Sequence, residues 1–201
     1  MTPYNLIFDP QVKELEELHQ WDVAAKLVYQ QWKKKPMDLN ALLCAGTQAW
    51  LGLLDIDYDC LEPDSKYDRD MFDVDSLYDI LTEVSRWGHA HFSENAVFNA
   101  YFGYMMQAMP YLFEDMKGDW DGWRKKGIEM MRYSYQLEPD NLFAKAMFYE
   151  PTYRNVGDSF YNACMEIWND FTPEQWGDSS VQQYFFYILA GAWRYPDAYH
   201  S

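Results

Sequence analysis

The sequence is poor in cations. Its 201 residues hold 16 lysines and arginines against 32 aspartates and glutamates, a net charge of −16. A DNA duplex carries about one negative charge per ~1.7 Å and is gripped through cationic side chains, so no nucleic-acid partner is expected. An anionic membrane surface is disfavoured on the same ground. Cysteine is scarce: Cys44, Cys60 and Cys164 are odd in number, and their spacing fits neither a zinc site nor a disulfide framework. Of the four histidines, His89 and His91 stand two apart and so point to different faces of a helix; His19 and His200 have no metal-ligand spacing around them. No metal and no cofactor are expected. A glycine-rich phosphate loop, an HExxH and a nucleophile elbow are all missing. No catalytic residue is therefore assigned, and the chain reads as a non-enzyme. The first eight residues lack a cationic start followed by an apolar run. No stretch approaches the ~18 apolar residues needed to span a bilayer. The expected location is cytoplasmic.

What is present is helical periodicity. Hydrophobic residues make up 49% of the chain, enough at this length for a substantial core in a single domain spanning 1–201. Trp21, Ala24, Ala25, Val28 and Trp32 form one apolar stripe, and Leu39, Leu42, Leu43, Gly46 and Trp50 the next. Similar stripes run through 77–87, 97–108, 120–134, 160–171 and 181–192, with no sustained period-two alternation. The spacing predicts helices over 10–19, 22–35, 38–54, 76–91, 94–113, 119–137, 140–150, 157–171 and 180–193, and an all-α fold. Asp9-Pro10 and Thr172-Pro173-Glu174-Gln175 read as helix starts. Lys33, Lys34 and Lys35 suit a helix C-terminus before Pro36. Short connections predict antiparallel hairpins.

Some of these hairpins share spacing. Ala24, Val28 and Pro36 place a small residue, a large one four later and a proline twelve after the first; Gly127, Met131 and Pro139 do the same, with the small Ser134 between. Gly46 lies ten after Pro36, and Gly103 ten after Ser93, where a small side chain lets helices approach closely. Gln136-Leu137-Glu138-Pro139-Asp140-Asn141 looks like a helix–turn–helix junction. Over residues 20–55 and 85–150 the chain resembles the tetratricopeptide repeat. The intervals from Pro36 to Ser93 and from Ser93 to Pro139 are 57 and 46 residues, longer than the ~34 of that repeat, which implies insertions, and Tyr149 departs from the small-residue pattern. The resemblance implies a right-handed solenoid of stacked antiparallel helical hairpins whose concave face binds proteins or peptides. It implies no chemistry.

Residues 55–75 stand apart. They carry nine acidic and two basic side chains, with Tyr58, Tyr67, Met71 and Phe72 interleaved. The segment reads as a loop outside the core, so that deleting 62–70 would leave the melting temperature nearly unchanged. Carboxylates pair with lysine and arginine while rings supply rigid contact area. The candidate partner-binding residues are accordingly Asp55, Asp57, Tyr58, Asp59, Glu62, Asp64, Tyr67, Asp68, Asp70, Phe72, Asp73 and Asp75. A calcium loop would need glycine sixth and glutamate twelfth, where this chain has Cys60 and Lys66. The 38 aromatic residues, among them the run Tyr184 to Tyr187, serve either core packing or a binding surface. Together these features point to an acidic adaptor or inhibitor docking a basic protein, in one form an immunity protein that neutralises a cationic toxin. The alternatives are an enzyme with a helical-bundle pocket and an oligomeric scaffold subunit.

Overall fold

Helix α1 (Pro10–Glu17) begins as the sequence dictates: the Asp9 carboxylate accepts the Gln11 N–H at 2.9 Å and Pro10 fills the first turn, where its missing donor costs nothing. The computed structural model describes residues 6–61, 65–116, 119–149 and 176–194. Among them every regular element is helical: α2 (Trp21–Lys34), α3 (Leu39–Leu61), α4 (Val74–Phe92), α5 (Ala96–Ala108), α6 (Trp120–Leu137), α7 (Leu142–Tyr149) and α8 (Ser180–Arg194), with 3₁₀ turns at Arg69–Met71 and Pro110–Met116. The expected helix over 157–171 and the Thr172-Pro173 start lie outside the described residues.

Two predicted boundaries were misplaced. The helix read as 94–113 ends at Ala108, and Met109 leaves helical geometry at φ −133°, ψ 67°. Pro110 bars its predecessor from the helical region and supplies no N–H. The helix read as 38–54 instead runs on to Leu61. Ile56 continues its apolar stripe and is fully buried, so burial outweighs the charge of Asp55, Asp57 and Asp59. At 23 residues α3 is long and apolar enough to cross a membrane by length and composition, contrary to the sequence expectation, but 13 of its residues are buried within the unit described next.

The chain divides into two compact units. One comprises Leu6–Ser93 with Tyr111–Gly118. In it α2 packs against α1, α3 and α4, and α3 against α4, around Trp32, Trp50, Leu42, Leu77, Leu81 and Val84. The indole N–H groups of Trp32 and Trp87 both donate to the Pro36 carbonyl, at 3.2 and 3.0 Å, which satisfies two partly buried donors where α2 stops.

The other unit contains Glu94–Pro110 and the chain from Asp119 onward. Here α5 packs on α6, and α7 on both. The backbones of α5 and α6 cross at Gly103 and Gly127, as their small size suggests: a Cβ on Gly127 would meet the Gly103 carbonyl and lie 2.6 Å from the Gln107 nitrogen. Aromatic rings fill the rest. Tyr101 sits 4.8 Å from both Phe143 and Phe185, and Trp176 lies 5.7 Å from Phe186. Within the run 184–187, Phe185 and Phe186 are buried, while the Tyr184 hydroxyl bonds that of Tyr104 at 3.0 Å. Phe185 and Phe186 are core.

Candidate functional site

Gln48, Asp55 and Asp59 recur at helical spacing along one face of α3. That face meets the turn between α1 and α2. The turn is built around His19, whose φ of +56° is left-handed, the conformation glycine usually takes just past a helix end. For histidine it stores strain. Three contacts hold it: Nδ1 lies 2.7 Å from Asp59 Oδ2, the ring stacks on Tyr67 at 4.8 Å, and the Trp21 ring meets it edge-on at 5.9 Å. Trp21 Nε1 donates to the same Asp59 oxygen at 3.0 Å.

Beside this pair lies a second set of acceptors. Glu16 is only 4% exposed and accepts from Gln48 Nε2 at 3.0 Å. Gln48 is fully buried, and its Oε1 has no partner. Asp55 is half-buried and takes no hydrogen bond or ion pair among the described residues. Burial first, then the charges of Asp59 and Glu16, push its carboxyl up to about 7 against the pull of His19. A cluster of this kind favours a proton or a cation.

The twelve residues proposed from sequence separate into groups. Asp55 and Asp59 belong to this cluster. Asp57 pairs with Arg69, and Tyr67 lies against His19 and, at 6.1 Å, Phe72. Asp73 caps α4 through the Ser76 N–H at 3.2 Å and binds Lys26 at 2.7 Å; these two bonds hold its carboxyl below the usual range. Tyr58, Asp68, Asp70 and Asp75 are exposed, with Asp68 accepting the Asp70 N–H at 3.2 Å. Glu62 and Asp64 lie outside the described residues. Residues 55–61 are therefore helix, and 65–73 is tied to its own chain, which corrects the reading of a free loop. Asp55, Asp57 and Asp59 lie on a helix, the first and last on one face and Asp57 paired with Arg69, not in a calcium-loop geometry. Deleting 65–70 should consequently lower stability by about 1–2 kcal/mol, the size of a lost ring contact plus an ion pair. An unchanged urea midpoint would show that Tyr67 contributes nothing.

Glu16, His19, Trp21 and Gln48 escaped the sequence reading. Gln48 carried the one usable signal, a polar residue in register with Asp55 and Asp59 inside an apolar helix. Cys44 is buried, and burial with the Asp38 charge pushes its thiol up to about 12, which makes it inert. Cys164 lies outside the described residues.

A second concavity, about 620 Å³, lies along α2 and α4 and is lined by Tyr29, Glu83, Arg86, Trp87 and His91 among others. The Glu83 carboxylate is engaged by the Tyr29 hydroxyl and by Lys33 at 2.6 Å, and the His91 ring stacks on Trp87 at 4.1 Å. No family model, curated protein or solved structure matches this chain.

Proposed function

We propose that the chain is an acidic adaptor or inhibitor that docks a basic protein in the cytoplasm, on a tetratricopeptide-like right-handed stack of antiparallel hairpins. In one concrete form it is an immunity protein that covers the substrate surface of a cationic toxin. One observation carries this reading: apolar side chains are exposed among like charges around the end of α3. Tyr58 is 66%, Leu61 82% and Met71 67% exposed, and the carboxylates of Asp68, Asp70 and Asp75 are exposed in the same segment. Leu18, 64% exposed, precedes the His19 that holds Asp59. Apolar anchors within a field of one sign are what a partner of opposite charge would cover. The stacking of α2 against α4 further supports a repeat-like scaffold, because successive first helices lie side by side in such a stack.

The test is association kinetics with a basic protein captured on the immobilised chain. Long-range attraction between exposed charges fades beyond ~8 Å at physiological salt, so the association rate should fall steeply as salt rises. Replacing Asp57, Asp68, Asp70 and Asp75 by asparagine should slow association several-fold. Tyr58→Ala with Leu61→Ala should mainly speed release. An association rate indifferent to salt, or normal binding by the asparagine variant, would remove this segment as the docking site.

A further inference from the structure

We propose that a cavity lined by the chain before α1 and by α2 and α3 binds a small apolar carboxylate, with the tail inside and the charge on Lys34 and Lys35. The site goes beyond the docking function above and does not depend on it. The cavity measures about 300 Å³, at the lower end of the range of about 300–1,000 Å³ usual for small-molecule sites. All of its lining belongs to the unit that contains α1 to α4.

Its walls are held by the chain's own bonds. Asn40 clamps the main chain of Ile7: Oδ1 accepts the Ile7 N–H at 3.0 Å, and Nδ2 donates to the Ile7 carbonyl at 3.1 Å. Gln31 Nε2 donates to Asp9 Oδ2 at 2.9 Å and ties the start of α1 to α2. Val28 and Cys44, both buried, form the floor, where the Cys44 thiol stays neutral. The Ile7 side chain stands 76% exposed at the edge. A slot already in place costs little ordering when an apolar body fills it.

The polar groups decide what the rest of the ligand must be. Asn40 and Gln31 are spent on the chain itself, and Asp38, the one carboxylate in the lining, caps α3 by accepting the Ala41 N–H at 3.2 Å. Lys34 and Lys35 are different. Both are exposed, and their ammonium groups make no ion pair or hydrogen bond among the described residues, whereas the adjacent Lys33 is held by Glu83. Two unspent cations beside an apolar floor, in a chain of net charge −16, select an anion with an apolar body. A fatty acid offers that chemistry, and so does the C-terminal leucine of a peptide.

The experiment titrates octanoate, below its micelle concentration, into the full chain, following the Asn40 side-chain amide by NMR and the affinity by calorimetry. The amide resonances should move saturably. Octanol, with the same tail and no charge, should bind about fivefold more weakly, as two exposed ion pairs would account for, and octanoate should lose the same factor on the Lys34→Gln/Lys35→Gln variant. Hexanoate, two methylenes shorter, should bind about tenfold more weakly. Arg124→Gln/Lys125→Gln, an equal loss of charge on the exposed side of α6, should bind as wild type does. Ala41→Leu should fill the slot and abolish the shift, with far-ultraviolet circular dichroism showing that the fold is kept. Acetyl-trileucine, as free acid and as amide, tells the two sources apart. An acid that binds more tightly than both octanoate and the amide assigns the cavity to peptide C-termini; one that binds more weakly than octanoate assigns it to a free acid. The inference falls if octanoate moves nothing, if octanol or the glutamine variant matches wild type with octanoate, or if folded Ala41→Leu binds unchanged.

Discussion

Gly127→Ala is expected to destabilise the unit containing α5 and α6 by about 3 kcal/mol or more, and to lower its melting temperature by more than about 10 °C. The new methyl carbon would meet the Gly103 carbonyl and stand 2.6 and 3.1 Å from the Gln107 nitrogen and Cα. Those are backbone atoms of α5, so relief requires one helix to move away from the other. Such a shift would also disturb the Ser134 hydroxyl, which donates to the Ala96 carbonyl at 2.8 Å, and the packing of Met130 and Met131, both buried. Gly103→Ala is expected to behave alike, its methyl lying 2.8 Å from the Gly127 carbonyl and 2.9 Å from the Met131 side chain. Gly122→Ala is the control in the same helix. It meets only the Asp119 side chain, and alanine's better helix propensity, about 1 kcal/mol, offsets that contact. Thermal melts of the three variants decide the matter. Equal melting temperatures for Gly127→Ala and Gly122→Ala would show that the helices separate at no cost.

Asp55→Asn is expected to stabilise the unit containing α1 to α4 at pH 8 and to change little at pH 4. In the folded chain the Asp55 carboxyl holds its proton up to about 7, against an ordinary 3.8. Between those values the folded state binds more protons than the unfolded one, so stability falls as pH rises from about 4 to about 7. Above 7 the full penalty of an ionised, half-buried and unpaired carboxylate is in place. A shift of that size corresponds to roughly 4 kcal/mol at most; the solvent access Asp55 retains brings the expected gain nearer 2 kcal/mol. Asparagine keeps the shape and removes the charge. Asp73 and Glu83 oppose this trend in acid. For Asp73 the bond from Lys26 leads; for Glu83 the bonds from Lys33 and Tyr29 outweigh burial, and both carboxyls sit below their usual range. Their contribution is present above the ordinary carboxylate value and lost as pH falls below it and through each group's lowered folded value. Denaturant melts of wild type and variant between pH 4 and pH 8 provide the check: an effect equal at both ends, or a loss at pH 8, would show that Asp55 is not paying for its burial.

Helix was legible because burial repeats with the helical period. The stripes from Trp21 to Trp32 and from Leu77 to Trp87 are the buried faces of α2 and α4 apart from the half-buried Trp87, and the Asp9-Pro10 start is a local hydrogen-bond pattern. The same logic failed where a local signal met a nonlocal one. Asp55, Asp57 and Asp59 look like loop when counted as charge, yet Ile56 between them is fully buried, and that burial carries the helix past them. Pro110 carries a local signal that the predicted span 94–113 overran: α5 ends at Ala108, and Met109, the residue before the proline, is already out of helical geometry.

The candidate site was half legible. Its acidic residues announced themselves by density; Gln48 offered a signal, its register with Asp55 and Asp59, that the sequence analysis left unused. Glu16 and His19 gave no sign, because what distinguishes them comes from residues 32 and 40 positions away along the chain: Gln48 for one and Asp59 for the other. Composition by itself determined the sign of the field, and periodicity the all-helical class. Only the tertiary structure decided which carboxylates are spent on the chain's own His19, Lys26 and Arg69, and that the half-buried Asp55 takes no such partner among the described residues. Pairing is a property of distance in space, and the sequence records only distance along the chain.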